Sequence, residues 1–287
     1  MTDSERPPHG DDRGPRRAWH VLAVSVAIGV VLAGMWASTS KASASALVRV
    51  IQPRPSAAPS VTPALPPQRI VVLGDSVAAG TGCGCTGFAD LLASDAAARS
   101  HQASTLSNLA LDGLTTSRLL AQLSDPTTAQ RLREATLVTV TISANDFDGE
   151  LAVTTACGGA ANLDCYSQGL TALPGMLGSV LTRIHALAPP GARVLVTGYW
   201  NVFLDGDVGS QLGRTYVETS DALTRRVNTV LAATARNSGA TYVDLYAAFG
   251  VAPRAIRTAL LAPDGDHPSA AGHQLIADAL ASAAGLT

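Results

Sequence analysis

Between residues 69 and 287, short β-branched apolar runs alternate with longer stretches of helical periodicity, and that alternation restricts the fold more than any single motif. Strands are expected at 69–73, 104–109, 136–142, 193–197 and 241–245. Helices are expected at 88–99, over Leu119, Leu120 and Leu123, at 168–188 and at 218–238. Thr115 or Thr116 is placed to cap the second of these, and Pro174 interrupts the first turns of the third. Ser269 opens a last helix with an apolar stripe of Leu275, Ile276, Ala279 and Leu280. Strands separated by helices need crossover connections. The expectation is therefore an α/β fold whose mostly parallel five-stranded sheet is covered on both faces. About 220 residues suffice for one such domain with a full core.

The preceding residues lack this pattern. Residues 1–17 are a polar tail rich in Pro, Gly, Asp and Arg, whereas 18–38 carry no Asp, Glu, Lys or Arg. At 1.5 Å per residue the apolar run spans roughly 30 Å, enough to cross a hydrocarbon core. Trp19 and Trp36 lie near its ends. It reads as a transmembrane signal anchor, with Arg16 and Arg17 on the cytoplasmic side and the domain at 69–287 extracytoplasmic in a single-pass membrane protein. A cleaved signal peptide competes: Ala42-Ser43-Ala44 and Ala44-Ser45-Ala46 are suitable sites, but such apolar regions run about 7–15 residues. Residues 39–68, mostly Ala, Ser and Pro, read as a semi-extended linker.

A formal charge of −2 makes no case for a nucleic-acid partner. The four cysteines, Cys83, Cys85, Cys157 and Cys165, all follow the apolar segment, where an oxidising compartment would let bridges persist. Three pairings are open. Closure of Cys157 onto Cys165 is the easiest to build, which leaves Cys83-Gly84-Cys85 as a tight ring or as thiols. Their spacing matches no usual zinc ligand set, and neither a metal nor a cofactor is expected.

Two motifs at opposite ends of the domain carry the chemistry. Gly74-Asp75-Ser76 follows the first strand directly, and Asp264-Gly265-Asp266-His267 lies near the C-terminus. Ligands bind at the C-terminal edge of an open α/β sheet, where Ser76 would sit. A Ser there, with a His as base and a carboxylate to orient it, can make a nucleophile. Asp266 rivals Asp264 as the orienting carboxylate, but direct adjacency to His267 gives it the poorer geometry. The blander readings are a helix cap for Ser76, backbone bonding for Asp75 and a helix lead-in for His267-Pro268-Ser269. The glycine-rich loop 80–87 is not a phosphate loop, because no Gly-Lys-Ser/Thr follows. Tyr199-Trp200-Asn201-Val202-Phe203 follows the fourth strand, so it either lines a substrate cleft or packs a loop.

With these pieces in order, the domain resembles the SGNH/GDSL hydrolase family. The carriers are Ser76 in Gly-Asp-Ser, Gly113, Asn145 in Asn-Asp and His267 in Asp-x-x-His, in that order across 69–287. The resemblance implies a three-layer α/β/α sandwich similar to flavodoxin. It also implies Ser76 as nucleophile, His267 as base and Asp264 as orienting group. The oxyanion hole would be the backbone N–H groups of Ser76 and Gly113 with the side-chain amide of Asn145. One position departs from the pattern: Ser143 stands where the family usually has Gly, and Asn145-Asp146 could be only a turn.

The expected function is hydrolysis of carboxylic esters, small-molecule or envelope-borne, through a Ser76 acyl-enzyme. The alternatives are deacetylation or acyl transfer on cell-envelope glycans, which rests on the membrane tether, and a decayed binding protein, which rests on Ser143.

Overall fold

The computed structural model describes residues 68–147, 157, 162–250 and 258–286. The chain divides into two units, Met1–Pro59 and Ser60–Thr287, and every described residue lies in the second. Five parallel strands make one sheet: β1 (Arg69–Gly74), β2 (Thr105–Asn108), β3 (Leu137–Thr141), β4 (Arg193–Thr197) and β5 (Thr241–Val243). Their spatial order is β2-β1-β3-β4-β5. All five residues of β3 are buried, as are the last five of β1, because helices cover both faces of the sheet.

The helices are α1 (Ser76–Ala79), α2 (Phe88–Ser100), α3 (Thr116–Gln122), α4 (Pro126–Glu134), α5 (Ser167–Leu187), α6 (Gly206–Gln211), α7 (Arg214–Asn237), α8 (Leu245–Gly250) and α9 (Ala270–Ala283). Helix α2 packs on α9 to form one layer, and α5 packs on α3, α4 and α7 to form the other. Thr115 caps α3 by accepting from the N–H of Arg118, and Ser269 caps α9 by accepting from that of Gly272. Pro174 lies inside α5 without ending it. The sequence pattern marks none of α1, α4, α6 and α8 as a helix. For α4 the local signal is plain: Asp125 accepts from Thr128 N–H at 2.8 Å and Pro126 occupies the first turn. Leu245, expected to end β5, instead starts α8.

The transmembrane element of the expected fold is corrected. No helix among the described residues is long and apolar enough to cross a membrane. The longest, α7, carries Arg214, Glu218, Asp221, Arg225, Arg226 and Arg236, and its apolar side is buried in the domain. The expected anchor at 18–38, the tail 1–17 and all of the linker but Gln68 lie outside the described residues. The membrane-anchored type, the membrane as partner and the single-pass, extracytoplasmic localisation rested on that anchor and are not retained.

Candidate active site

Strand order 2-1-3-4-5 reverses direction between β1 and β3, and the crevice beyond their C-terminal ends is where such sheets bind ligands. The chain turns sharply there. Gly74 has φ +142°, and a Cβ at this position would lie 2.0 Å from the carbonyl oxygen of Thr141 in β3. Only glycine lets β1 run so close to β3 before turning, with the N–H of Asp75 donating to Thr141 at 3.0 Å. Ser76 then opens α1 at the mouth of the crevice.

Asp75 caps α1: its side chain accepts from Val77 N–H at 3.1 Å. The residue is 1% exposed, and its second carboxylate oxygen accepts from the Tyr199 hydroxyl at 2.5 Å. Burial pushes the Asp75 carboxyl up to about 7, against the opposing bonds from Tyr199 and Val77. Tyr199 is itself clamped, because the Asn228 side chain accepts from its N–H at 2.9 Å and donates to its carbonyl at 2.7 Å.

Nε2 of His267 lies 2.9 Å from Oγ of Ser76, across 191 residues of sequence. Its Nδ1 lies 2.9 Å from Oδ2 of Asp264, but 3.8 Å from Asp266. The other oxygen of Asp264 accepts the N–H groups of Asp266 and His267, each at 3.0 Å. Burial raises the Asp264 carboxyl, but the Asp266 N–H and the His267 bonds outweigh it and hold the group below its ordinary value. The turn is tied down from outside: Trp200 Nε1 donates to the Asp266 carbonyl at 3.2 Å, and Asp205 N–H to that of Gly265 at 2.8 Å.

Gly113 and Asn145 come from neighbouring loops. Leu111 N–H donates to the Gly74 carbonyl at 2.9 Å, which seats the Gly113 turn beside β1. Gly113 has φ +65° and open space where a Cβ would stand, so the turn needs glycine for its dihedral rather than for room. Nδ2 of Asn145 donates to the Leu114 carbonyl at 3.2 Å. Asp146 holds the same two loops together by accepting from Thr116, through both N–H and hydroxyl. Burial raises the Asp146 carboxyl despite these bonds. Ser143 has φ +114°, a backbone region that suits glycine, and its buried hydroxyl has no partner.

A cavity of about 470 Å³ opens over this edge, lined in part by Ser76, Asn145, Asp146 and Asp266 on the polar side. Phe147, Val202, Phe203 and Leu204 form its apolar wall. Gly113, Asp264 and His267 are not among its lining residues; His267 joins it through Ser76. Of the aromatic cluster after β4, Phe203 lines the cavity, Tyr199 lies beneath the nucleophile's turn, and Trp200 stacks on Phe249 at 4.4 Å. Tyr199 was not singled out from the sequence, since nothing local says which of these aromatics reaches Asp75.

The cysteines pair as Cys83–Cys85 and Cys157–Cys165. The second bridge joins buried Cys157 to the turn that leads into α5. The first sits in the loop between α1 and α2.

The model of the GDSL-like Lipase/Acylhydrolase family matches residues 72–275. An extracellular lipase from Streptomyces rimosus is similar in structure, with a TM-score of 0.58 at 26% identity over 75% of this chain and 98% of that one. A phospholipase A1 from Streptomyces albidoflavus gives a TM-score of 0.56 at 29% identity over 74% of this chain and 98% of that one. The fold extends to an acetyl xylan esterase from Geobacillus stearothermophilus, with a TM-score of 0.56 at 20% identity over 76% of this chain and 95% of that one. No curated protein sequence matches the chain.

Proposed function

The chain belongs to the GDSL-like lipase/acylhydrolase family, and from that premise we propose that it cleaves carboxylic esters through an acyl-enzyme on Ser76. That it is a hydrolase of ester bonds follows from the family. The observation that carries the finer reading is the relay in line from Ser76 Oγ through His267 to Asp264, with both spacings at 2.9 Å.

A serine hydroxyl is a weak nucleophile until a base takes its proton. His267 accepts that proton at Nε2 as Oγ attacks the ester carbonyl, and Asp264 stabilises the imidazolium through Nδ1–H. The tetrahedral oxyanion is held by the N–H groups of Ser76 and Gly113 and by the Asn145 amide. Each such donor is worth roughly 2.7–4 kcal/mol in the transition state. His267 returns the proton to the leaving alcohol, and water then releases the acid by the same route.

The cavity supports a neutral substrate. Its wall of Phe147, Val202, Phe203 and Leu204 suits an apolar acyl or alcohol group. Carboxylates of Asp146 and Asp266 stand on the polar side, and among the described residues neither Lys nor Arg lines it. Relatives named for lipids and for acetylated xylan share this fold, so the wall rather than the fold would choose the substrate. The glycan reading lost its support with the tether, and the relay argues against a decayed site.

The test is labelling of the full chain with a fluorophosphonate probe, followed by peptide mapping and an ester assay. An adduct on Ser76 that disappears in His267→Ala, with hydrolysis abolished in Ser76→Ala, is the expected result. Unchanged hydrolysis in Ser76→Ala would overturn the reading.

A further inference from the structure

We propose that Cys83 and Cys85 form a thiol–disulfide exchange site whose reduced state places a thiolate on the Nε2–H of His273 and loosens the loop that seats His267 and Asp264. The regulatory half rests on the relay proposed above; the thiolate half does not.

The recognition group is His273, on α9. It is fully buried, and a ring nitrogen lies within 4.8 Å of both sulfurs. Nδ1 accepts from the N–H of Phe88 at 3.2 Å. That bond takes the Nδ1 lone pair, so the neutral ring carries its proton on Nε2. Nε2–H is buried without an acceptor while the sulfurs are bonded to each other. A donor left unmatched in this way is destabilising, and a thiolate from the opened bridge would satisfy it. The same proton makes Nε2 a poor metal ligand, which separates this reading from a zinc site. Burial, and the charge of His267, lower the His273 pKa, so the ring stays neutral and remains a one-proton donor. Gly87 precedes α2 and gives it no side-chain cap, so the first-turn N–H groups beyond Phe88 favour negative charge close to Cys85. Asp90 in that turn and Asp264 across Gly82 act in the opposite sense.

The loop reaches the relay at three points. A Cβ at Gly82 would stand 2.7 Å from Oδ2 of Asp264 and 2.9 Å from Cβ of His267, so the backbone lies directly against both. Thr81 N–H donates to the Ser76 carbonyl at 3.1 Å. The Thr81 hydroxyl donates to Asp112, the neighbour of Gly113. Cys83 and Cys85 are both partly exposed, so an external thiol can reach them.

The exchange is balanced by an external dithiol. Its thiolate attacks one sulfur, the Cys83–Cys85 bond breaks and a mixed disulfide forms. The second thiol then displaces that sulfur. The dithiol leaves as a disulfide, two electrons pass to the pair, one protein sulfur keeps a proton and the other remains a thiolate on His273.

The full chain is reduced with a dithiol under native conditions, alkylated across a pH series and mapped by mass spectrometry, with ester turnover followed in parallel. One of Cys83 and Cys85 should be modified with a midpoint below the ordinary thiol value of about 8.5, with Cys157–Cys165 still bridged. In His273→Leu the midpoint should rise. Turnover should fall about tenfold on reduction, short of the ~10²-fold cost of an ångström of misplacement, and return on reoxidation. The Cys83→Ser/Cys85→Ser double variant should run at the reduced rate and ignore the dithiol. Midpoints at or above about 8.5 for both thiols overturn the thiolate. Unchanged turnover with the pair fully reduced, or an equal further loss when the double variant is treated with the dithiol, overturns the coupling. Absence of a fluorophosphonate adduct on the oxidised enzyme would instead indict the Ser76 relay, and the alkylation midpoint would still decide the thiolate.

Discussion

The hydroxyl of Tyr199 donates to the carboxylate of Asp75 at 2.5 Å, linking the end of β4 to the residue that caps the nucleophile's helix. The same hydroxyl accepts from the N–H of Ala144 at 3.4 Å, so one ring braces both the Ser76 turn and the Asn145 loop. This bracing rests on a buried, strongly perturbed carboxyl, and it has measurable consequences.

Tyr199→Phe removes the donor and leaves a buried carboxyl with one partner fewer. The variant should lose about 1–3 kcal/mol of stability. Urea unfolding of the full chain measures it, and a loss below a few tenths would mean that the hydroxyl braces nothing.

Asp75 also sets a pH dependence. Its carboxyl titrates at about 7 when folded and near 3.8 ordinarily, so between these values the folded protein holds a proton that the unfolded chain has released. Stability therefore falls as pH rises from about 4 to about 7, at up to roughly 1.4 kcal/mol per unit, then levels off. His273, with a lowered folded pKa, gives the opposite slope as pH approaches its ordinary value of 6.5 from below. The difference between wild type and Asp75→Asn isolates Asp75, and parallel curves for the two proteins would refute the assignment.

The two carboxylates beside His267 should separate cleanly. Asp264→Asn leaves the turn in shape but mispresents the imidazole, and kcat for an ester should drop about 10⁴-fold. Asp266→Asn, on a residue 3.8 Å from the ring, should cost less than about tenfold. Steady-state kinetics on the pair checks this, and the reverse ranking would transfer the orienting role to Asp266.

Ser143→Gly should stabilise the protein. A non-glycine residue in this backbone region costs about 1–3 kcal/mol, and the buried hydroxyl without a partner adds to that. Glycine gives back about 0.5–1 kcal/mol through unfolded-chain entropy, for a net gain of about 1 kcal/mol or more. A lower urea midpoint in Ser143→Gly would show that the serine is doing something the described contacts do not reveal.

Much of the domain was legible locally. Strand β4 falls where its apolar run does, α3 and α9 start on the expected caps, and the alternation of elements yields the parallel sheet. Boundaries drifted where tertiary contacts compete with pattern: α7 begins at Arg214 rather than at Glu218, because its first turn follows α6. Short α6 and α8 have no room for a helical period and were missed. The apolar run at 18–38 reads as a membrane span by length and hydropathy, and it lies outside the described residues.

By itself, the sequence determined the class of fold and the residue types brought to the sheet's C-terminal edge, because periodicity, capping and turn chemistry are local properties of the chain. The tertiary structure alone decided that His267 reaches Ser76 at 2.9 Å, that Tyr199 reaches Asp75, and that the Cys83–Cys85 bridge lies beside His273. Apart from the bridge itself, these relationships depend on ångström-scale distances between residues brought together by sheet order, crossovers and close backbone approach. No pattern along the chain encodes such distances until the core has packed.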